Sequence, residues 1–253
     1  MKLAVLIPTY NESKNIAILL PAIRSEAAKY PTVFFQVYVI DDSSPDGTAE
    51  VAKSLVSPLM ADNFKIEIIN RLKKEGLGRA YIDTFKYLMG LSTPPNMVLQ
   101  MDADLSHSPK YISNFLDAAL SGSDFVVGSR YIDGGSVPNW SWYRKSLSKG
   151  GNFYARVMLG NSISDYTGGF NLFSLELLKK IDLTSVNHDG YGFLIALKHA
   201  ARGHAKRIVE VPIEFLDREH GESKMPATTI LKNFLLVMSI RLKLALASIT
   251  SQS

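Results

Sequence analysis

The chain has 253 residues, enough to bury a substantial core as one large α/β domain. Its 46% hydrophobic and 21% charged residues are ordinary for a folded protein, and 28 basic against 24 acidic residues leave only +4, which argues against a general polyanion binder and a nucleic-acid partner. There is no cysteine, so disulfides and thiolate metal sites are excluded and the available ligands are Asp, Glu, His and carbonyl oxygen.

Residues 3–7 form an unbroken apolar run stopped by Pro8. That is the pattern of a strand buried on both faces, and it is too short for a signal peptide. Asn11-Glu12-Ser13 opens a helix whose Ile16, Leu19, Leu20 and Ile23 share one face. A second strand is predicted over 35–40, ending in Asp41-Asp42-Ser43-Ser44-Pro45-Asp46-Gly47-Thr48. Thr48 is placed to cap a helix striped by Val51, Ala52 and Leu55. A third strand over 65–70 leads to a basic loop at 71–78 and a helix from about 79 to 90. The strand 97–101 then runs into Asp102-Ala103-Asp104. Pro109 starts a further helix, and a strand over 125–128 ends in Ser129-Arg130.

This alternation predicts a mostly parallel sheet with helices on both faces, in which ligands bind at the carboxyl ends of the strands. Polar clusters stand at those ends: Thr9-Tyr10-Asn11-Glu12, Asp41-Asp42, Asp102-Ala103-Asp104 and Ser129-Arg130. Two carboxylates one residue apart at a strand end can point the same way. Their repulsion is relieved when a divalent cation bridges them to phosphate oxygens. Neither the dinucleotide-binding glycine fingerprint nor a P-loop follows the first strand. A nucleotide would therefore be held by side chains and metal.

Past residue 130 the alternation lapses. Trp140-Ser141-Trp142-Tyr143-Arg144-Lys145 leads into a helix, amphipathic over about 142–159. Residues 165–170 predict a turn, with Gly168 and Gly169 where backbone approaches substrate. Helix follows over 192–201, then strand over 205–215 with Pro212 marking an edge. A polar glycine loop at 218–224 precedes a last helix over about 228–247. Residues 134–164 and 223–253 contain bases and many apolar side chains but no acid, which suits an anionic membrane surface. The longest uncharged run of the last helix, 233–240, falls far short of the roughly 20 residues of a membrane span. That helix is either a core helix with snorkelling lysines, or one lying on a membrane or on a partner's membrane segment. His107 reads as a supporting residue rather than a base, and His188, His199 and His204 as surface or core. Arg156 reads as a solvated or membrane-facing charge, and Glu222 as a possible partner of its own loop's backbone donors.

Together these residues resemble the family 2 glycosyltransferases of GT-A fold, and more narrowly the dolichyl-phosphate (polyprenol-phosphate) mannosyltransferase type. The resemblance is carried by Ile7-Pro8-Thr9-Tyr10-Asn11-Glu12, Ile40-Asp41-Asp42-Ser43-Ser44-Pro45-Asp46-Gly47-Thr48, Lys74-Glu75-Gly76-Leu77-Gly78 and Asp102-Ala103-Asp104-Leu105-Ser106-His107. It continues through Gly128-Ser129-Arg130-Tyr131, Arg144-Lys145-Ser146-Leu147-Ser148-Lys149-Gly150 and Gly221-Glu222-Ser223-Lys224. It implies a catalytic domain over 1–225 and an amphipathic C-terminal helix over 226–253 that is no separate domain. It implies that Pro8, Tyr10, Glu12, Ile40 and Asp42 hold the base and ribose of a sugar nucleotide. Asp102, Ala103 and Asp104 would bind its diphosphate through Mg²⁺ or Mn²⁺, with the two carboxylates as metal ligands. Arg130, Arg218 and Lys224 would contact the donor diphosphate or a lipid phosphate, with Arg144 a weaker candidate for the latter.

The implied reaction moves mannose from GDP-mannose to a polyprenyl phosphate such as dolichyl phosphate, with inversion. A phosphate acceptor is already an anionic nucleophile, which agrees with a cation-rich site lacking any Ser/His/Asp arrangement. Adjacent carboxylates also match poorly to the flanking pair of a glycoside hydrolase. The expected location is cytoplasmic, peripherally on a membrane, held by the chain's own helices or by a separate membrane-anchoring subunit. Two alternatives stand beside this reading: a transferase of the same fold using UDP-glucose or another sugar nucleotide, and an idle subunit that binds sugar nucleotide or membrane. The chain departs from the family at Ser106, Asn171 and Phe193-Leu194-Ile195-Ala196, where Gln, a base and Phe-Gln-x-Glu are common.

Overall fold

A computed structural model describes residues 1–217 and 227–250. Seven strands form one sheet. In chain order the first five are β1 (Lys2–Thr9), β2 (Phe34–Asp41), β3 (Phe64–Asn70), β4 (Met97–Gln100) and β5 (Phe125–Ser129). They are followed by β6 (Asn171–Ser174) and β7 (Ile208–Pro212). The spatial order is β3-β2-β1-β4-β6-β5-β7. All neighbours are parallel except β6, which runs antiparallel to both β4 and β5. Helices α1 (Ser13–Ala27), α2 (Thr48–Leu59), α3 (Leu77–Met89) and α4 (Ile112–Leu120) supply the early crossovers. The longer second half carries α5 (Trp142–Leu159), α6 (Leu175–Leu178), α7 (Tyr191–His204) and α8 (Ala227–Thr250).

Alternation along β1 divides the interior. Leu3, Val5 and Ile7 enter one apolar cluster, while Ala4 and Leu6 enter the other, and all five are excluded from water. The apolar run of β1 is continuous because both sides of the sheet are covered. The mostly parallel GT-A-like sheet with helices is thus as expected. Three details differ. The strand predicted over 97–101 ends one residue early, and the helix expected from about 79 begins at Leu77. The strand expected over 205–215 is confined to Ile208–Pro212, because Ala205 still closes α7 and Glu214 and Phe215 make only isolated bridges.

The antiparallel β6 explains why the alternation fades. Its first residue, Asn171, sits opposite Gln100, the last residue of β4. A strand that enters the sheet where its neighbours leave delivers its preceding turn to the ligand-binding edge. Pro212 closes β7 at the edge of the sheet, as expected for a residue with no backbone N–H to donate. Beyond the sheet α8 leans on α5 and α7. Tyr154 stacks on Phe234 at 4.5 Å and donates from its hydroxyl to the Phe234 carbonyl, while Val237 is buried. The last helix thus has both a packed side and an exposed one, with Leu231, Leu235 and Leu242 open to solvent.

Candidate active site

Three loops at the carboxyl ends of β1, β2 and β4 share an unusual backbone. Asn11, Ser43 and Leu105 adopt positive φ of 60°, 55° and 64°. Only the asparagine does so cheaply, and such strain concentrates where loops are held for function. The β1 and β2 loops are tied together. Ser44 Oγ accepts from the Asn11 amide at 3.0 Å, Thr48 Oγ1 from the Glu12 amide at 2.9 Å and Asp46 Oδ2 from the Ser13 amide at 3.0 Å. Contrary to the expectation from sequence, Thr48 therefore does not cap its own helix. Gly47 holds that N-cap position without a side-chain bond, and the Asp46–Thr48 pair serves the start of α1 instead. Those amides are unsatisfied within α1, so a neighbouring loop supplies their acceptors.

A cavity of about 300 Å³ opens beside these loops, lined among others by Pro8, Glu12, Asp102, Ala103, Asp104 and Arg130. Of the predicted nucleotide residues, Tyr10, Ile40 and Asp42 do not line it. Tyr10 stacks under the Lys74 ammonium at 3.6 Å, and Asp42 pairs with Arg71. The Ile40 side chain is wholly in the core, so only its backbone can face a ligand. Arg218, Lys224 and Glu222 lie outside the described residues.

The two carboxylates differ. Asp104 is buried, and its Oδ1 accepts from the Ser106 amide at 3.1 Å and hydroxyl at 2.5 Å. The Asp102 side chain keeps 30% of its surface. Behind it His107 is excluded from water, stacked on Phe170 at 4.9 Å, and its Nδ1 accepts from the Asp102 amide at 3.0 Å. An Nδ1 that accepts carries no proton, so the 3.7 Å approach to the Asp102 carboxylate is no ion pair. Burial pushes the imidazole pKa down and outweighs the pull of Asp102 and Asp104. His107 is thus a neutral brace for Asp102, in keeping with its supporting role.

Gly169 explains the glycine pair by space rather than by φ. A Cβ there would lie 3.3 Å from both Asp102 oxygens and from His107 Cε1. Asn171 secures the same turn, donating to the Gly168 carbonyl at 3.1 Å and to Gln100 Oε1 at 3.3 Å. This departure from the family pattern has a structural use.

Arg130 is buried and clamped. Nε donates to Asp165 Oδ2 at 2.6 Å, and Nη2 to Asp165 Oδ1 at 2.7 Å and Thr167 Oγ1 at 2.8 Å. Its Nη1 has no hydrogen bond among the described residues. The Arg144 guanidinium lies 3.9 Å from the Trp140 ring centre, and Arg130 stands 5.4 Å from the same ring. Trp140, Thr167, Tyr191, Leu194 and Phe215 complete the walls, and sequence reasoning assigned none of them a role. Leu194 and the buried Ala196 occupy the positions where the family's amide and carboxylate are missing.

The site is therefore a polar cleft at strand ends, lined by both carboxylates and guanidiniums. Two hard oxygen donors lining one cavity, one fixed by Ser106, fit Mg²⁺ or Mn²⁺. Among the described residues no group of three or more His, Cys, Asp or Glu is gathered for a metal, so further ligands must come from substrate or water.

The family profile of Glycosyl transferase family 2 matches residues 4–182. The polyprenol monophosphomannose synthase of Mycolicibacterium smegmatis is 42% identical over 226 residues, 89% of this chain and 82% of that protein. The undecaprenyl-phosphate mannosyltransferase of Micrococcus luteus is 38% identical over 225 residues, 89% of this chain and 88% of that protein. Among solved structures, mannosyl-3-phosphoglycerate synthase from Rubrobacter xylanophilus superposes with a TM-score of 0.64 at 18% identity, covering 97% of this chain and 75% of that one. A mannosyltransferase from Pyrobaculum calidifontis, solved with GDP-Man and Mn²⁺, gives a TM-score of 0.55 at 16% identity with the same two coverages. At such identities the structural likeness speaks for the fold.

Proposed function

The chain belongs to glycosyl transferase family 2, and from that premise we propose that it moves mannose from GDP-mannose to a polyprenyl phosphate such as dolichyl phosphate, on the cytoplasmic face of a membrane. The observation that carries this reading is the meeting, in one strand-end cavity, of Asp102 and Asp104 with Arg130 and Arg144. The names of the two relatives above support the sugar and the class of lipid.

In this reading Pro8 and Glu12, with Tyr10, Asp42 and the Ile40 backbone, hold the nucleoside. Glu12 is oriented by Asn15, whose amide nitrogen donates to Oε2 at 2.6 Å. Asp102 and Asp104 would hold Mg²⁺ or Mn²⁺, which when bound would neutralise charge on the diphosphate. Arg130 faces the same diphosphate, and Arg144, Arg218 and Lys224 meet donor or lipid phosphate. A lipid phosphate oxygen forms the new bond to the anomeric carbon as the old carbon–oxygen bond breaks. The diphosphate departs with the electron pair, and attack from the opposite side inverts the carbon. The acceptor arrives ionised, so no side chain needs to take a proton, and His107, whose Nδ1 is engaged by the Asp102 amide, serves as a brace.

Membrane contact would come from α5 and α8, which expose Trp142, Phe153 and Val157, and Leu231, Leu235 and Leu242. No helix among the described residues is long and apolar enough to cross a membrane. A separate anchoring subunit is the other possible partner.

The test is transfer of radiolabel from GDP-mannose to extractable polyprenyl phosphate, with UDP-glucose as the competing donor and Mg²⁺ or Mn²⁺ present. GDP-mannose should label the lipid, and Asp104→Ala should lower the rate by about 10²-fold or more. Labelling from UDP-glucose alone, no labelling at all, or an undiminished Asp104→Ala rate would overturn the proposal.

A further inference from the structure

Lys198 is a lysine in an unusual place. It stands on α7 and is wholly excluded from water. Tyr191 and Leu194, seven and four residues before it, line the cavity, so the same side of α7 leads inward from the cleft to the lysine. Its Nζ donates to the Asp165 backbone carbonyl at 2.5 Å. No carboxylate among the described residues lies within ion-pair range of it. The Asp165 carboxylate is spent on Arg130, on the Gly168 amide at 2.9 Å and on the Thr167 amide at 3.2 Å.

This wall of the cleft therefore contains two buried cations, Arg130 and Lys198, and one buried carboxylate. An ammonium without a counter-ion is costly inside a protein. A methionine of similar length would fill the same space without that cost. A role in packing alone gives no reason for the charge.

We propose that Lys198 is a positioning residue of the transfer reaction: its ammonium holds the 165–169 turn and leaves this wall one buried positive charge in excess, which the departing diphosphate neutralises. This rests on the reading that the leaving group is a nucleoside diphosphate. The free diphosphate carries one more negative charge than the same group esterified to a sugar. Lys198 should therefore favour the product-like state over the bound donor, which is the condition for raising kcat rather than lowering KM.

The experiment compares wild type with Lys198→Met and Lys198→Gln, the latter retaining a hydrogen-bond donor without the charge. Calorimetry in Mg²⁺ measures dissociation constants for GDP and GDP-mannose, with UDP and UDP-glucose as a second pair, and thermal unfolding is followed alongside. Both variants should keep or raise the wild-type Tm and lose affinity for the free diphosphate more than for the sugar nucleotide. The difference should be about tenfold, the size of one charge acting over several ångströms of protein. kcat should fall by a similar factor with KM for the donor nearly constant. A Lys198→Gln protein with the wild-type affinity ratio and kcat overturns the charge role. Activity and Tm falling together in both variants overturns it as well, in favour of a purely structural lysine. If wild type binds only the UDP pair, the mannose donor reading fails and the Lys198 comparison is made on that pair. Binding of neither pair overturns both.

Discussion

Asp165 grips Arg130 through two parallel hydrogen bonds, Nε to Oδ2 at 2.6 Å and Nη2 to Oδ1 at 2.7 Å, with both side chains buried. Such a fork fixes the guanidinium plane as well as its position. Removing one partner leaves the other charge buried and unpaired, which costs about 3–5 kcal/mol. Asp165→Asn should therefore lower the urea unfolding free energy by that order, and lipid labelling should fall with it. A loss under about 1 kcal/mol would show that Arg130 finds another partner.

The same pair predicts the acid limb of stability. Burial alone would raise the Asp165 pKa, but the Arg130 charge and hydrogen bonds outweigh it and hold the carboxyl well below its ordinary 3.8. A depressed carboxyl contributes stability that is present above the unfolded value and lost as pH falls through the folded one. Wild type should lose this increment on acidification below 3.8, whereas Asp165→Asn, already without it, should show a flatter acid limb. Unfolding free energies measured across that window decide the matter.

Lys198 predicts the opposite end of the scale. Burial pushes its ammonium down to about 8 from an ordinary 10.5, with Asp165 and Glu210 pulling it up and Arg130 adding to the fall. Between those values the unfolded chain holds more protons than the folded one, so stability rises with pH. The rise should be absent in Lys198→Met. Parallel curves for the two proteins across that range would mean that the folded lysine keeps its proton as the unfolded one does, so that burial does not lower its pKa.

Much of this was legible in the chain. Parallel strands announce themselves as continuous apolar runs, so 3–7 and 35–40 pointed to β1 and β2, and the polar residues after them pointed to a cleft. The short antiparallel β6 carries no such signal: it has four residues and follows a glycine turn. The Arg130–Asp165 clamp joins positions 35 residues apart, and nothing local in either segment names the other. Thr48 was assigned to its own helix because capping is read from neighbours in sequence, whereas its acceptor serves α1 across the fold. A clue to Lys198 was present. It is the one charge among Phe193, Leu194, Ile195, Ala196 and Leu197, a run too apolar all round to have a wet face.

The shared loop predicts a stability effect far from any substrate. Asp46→Ala removes the acceptor of the Ser13 amide and the partner of Thr48 at once. Losing an acceptor at a helix start costs about 0.5–2 kcal/mol. Urea unfolding should show that loss, and Thr48→Val should show a similar one by stripping the Glu12 amide. If both changes are neutral, water replaces these acceptors and the motif's use lies elsewhere.

The outer face of α5 carries the membrane prediction. Trp142, Phe153 and Val157 recur at helical spacing and expose 78%, 67% and 62% of their surface. Lys145, Lys149 and Arg156 run beside them, with no acid between residues 134 and 164. A bilayer would take up the aromatics, each contributing about 1.5–3 kcal/mol when fully buried, or roughly tenfold or more in partitioning. The bases would add about 1 kcal/mol each on an anionic surface, and that part should weaken with salt. Purified chain should therefore float with phosphatidylglycerol vesicles and less with neutral ones. Trp142→Ala combined with Phe153→Ala should release it in either salt. Changing Lys232, Arg241 and Lys243, which are exposed on α8, to Glu should weaken flotation chiefly at low salt. A chain that fails to float alone but floats with a membrane-spanning partner would assign these faces to a separate anchoring subunit. Flotation of the isolated chain would make such a subunit unnecessary for attachment.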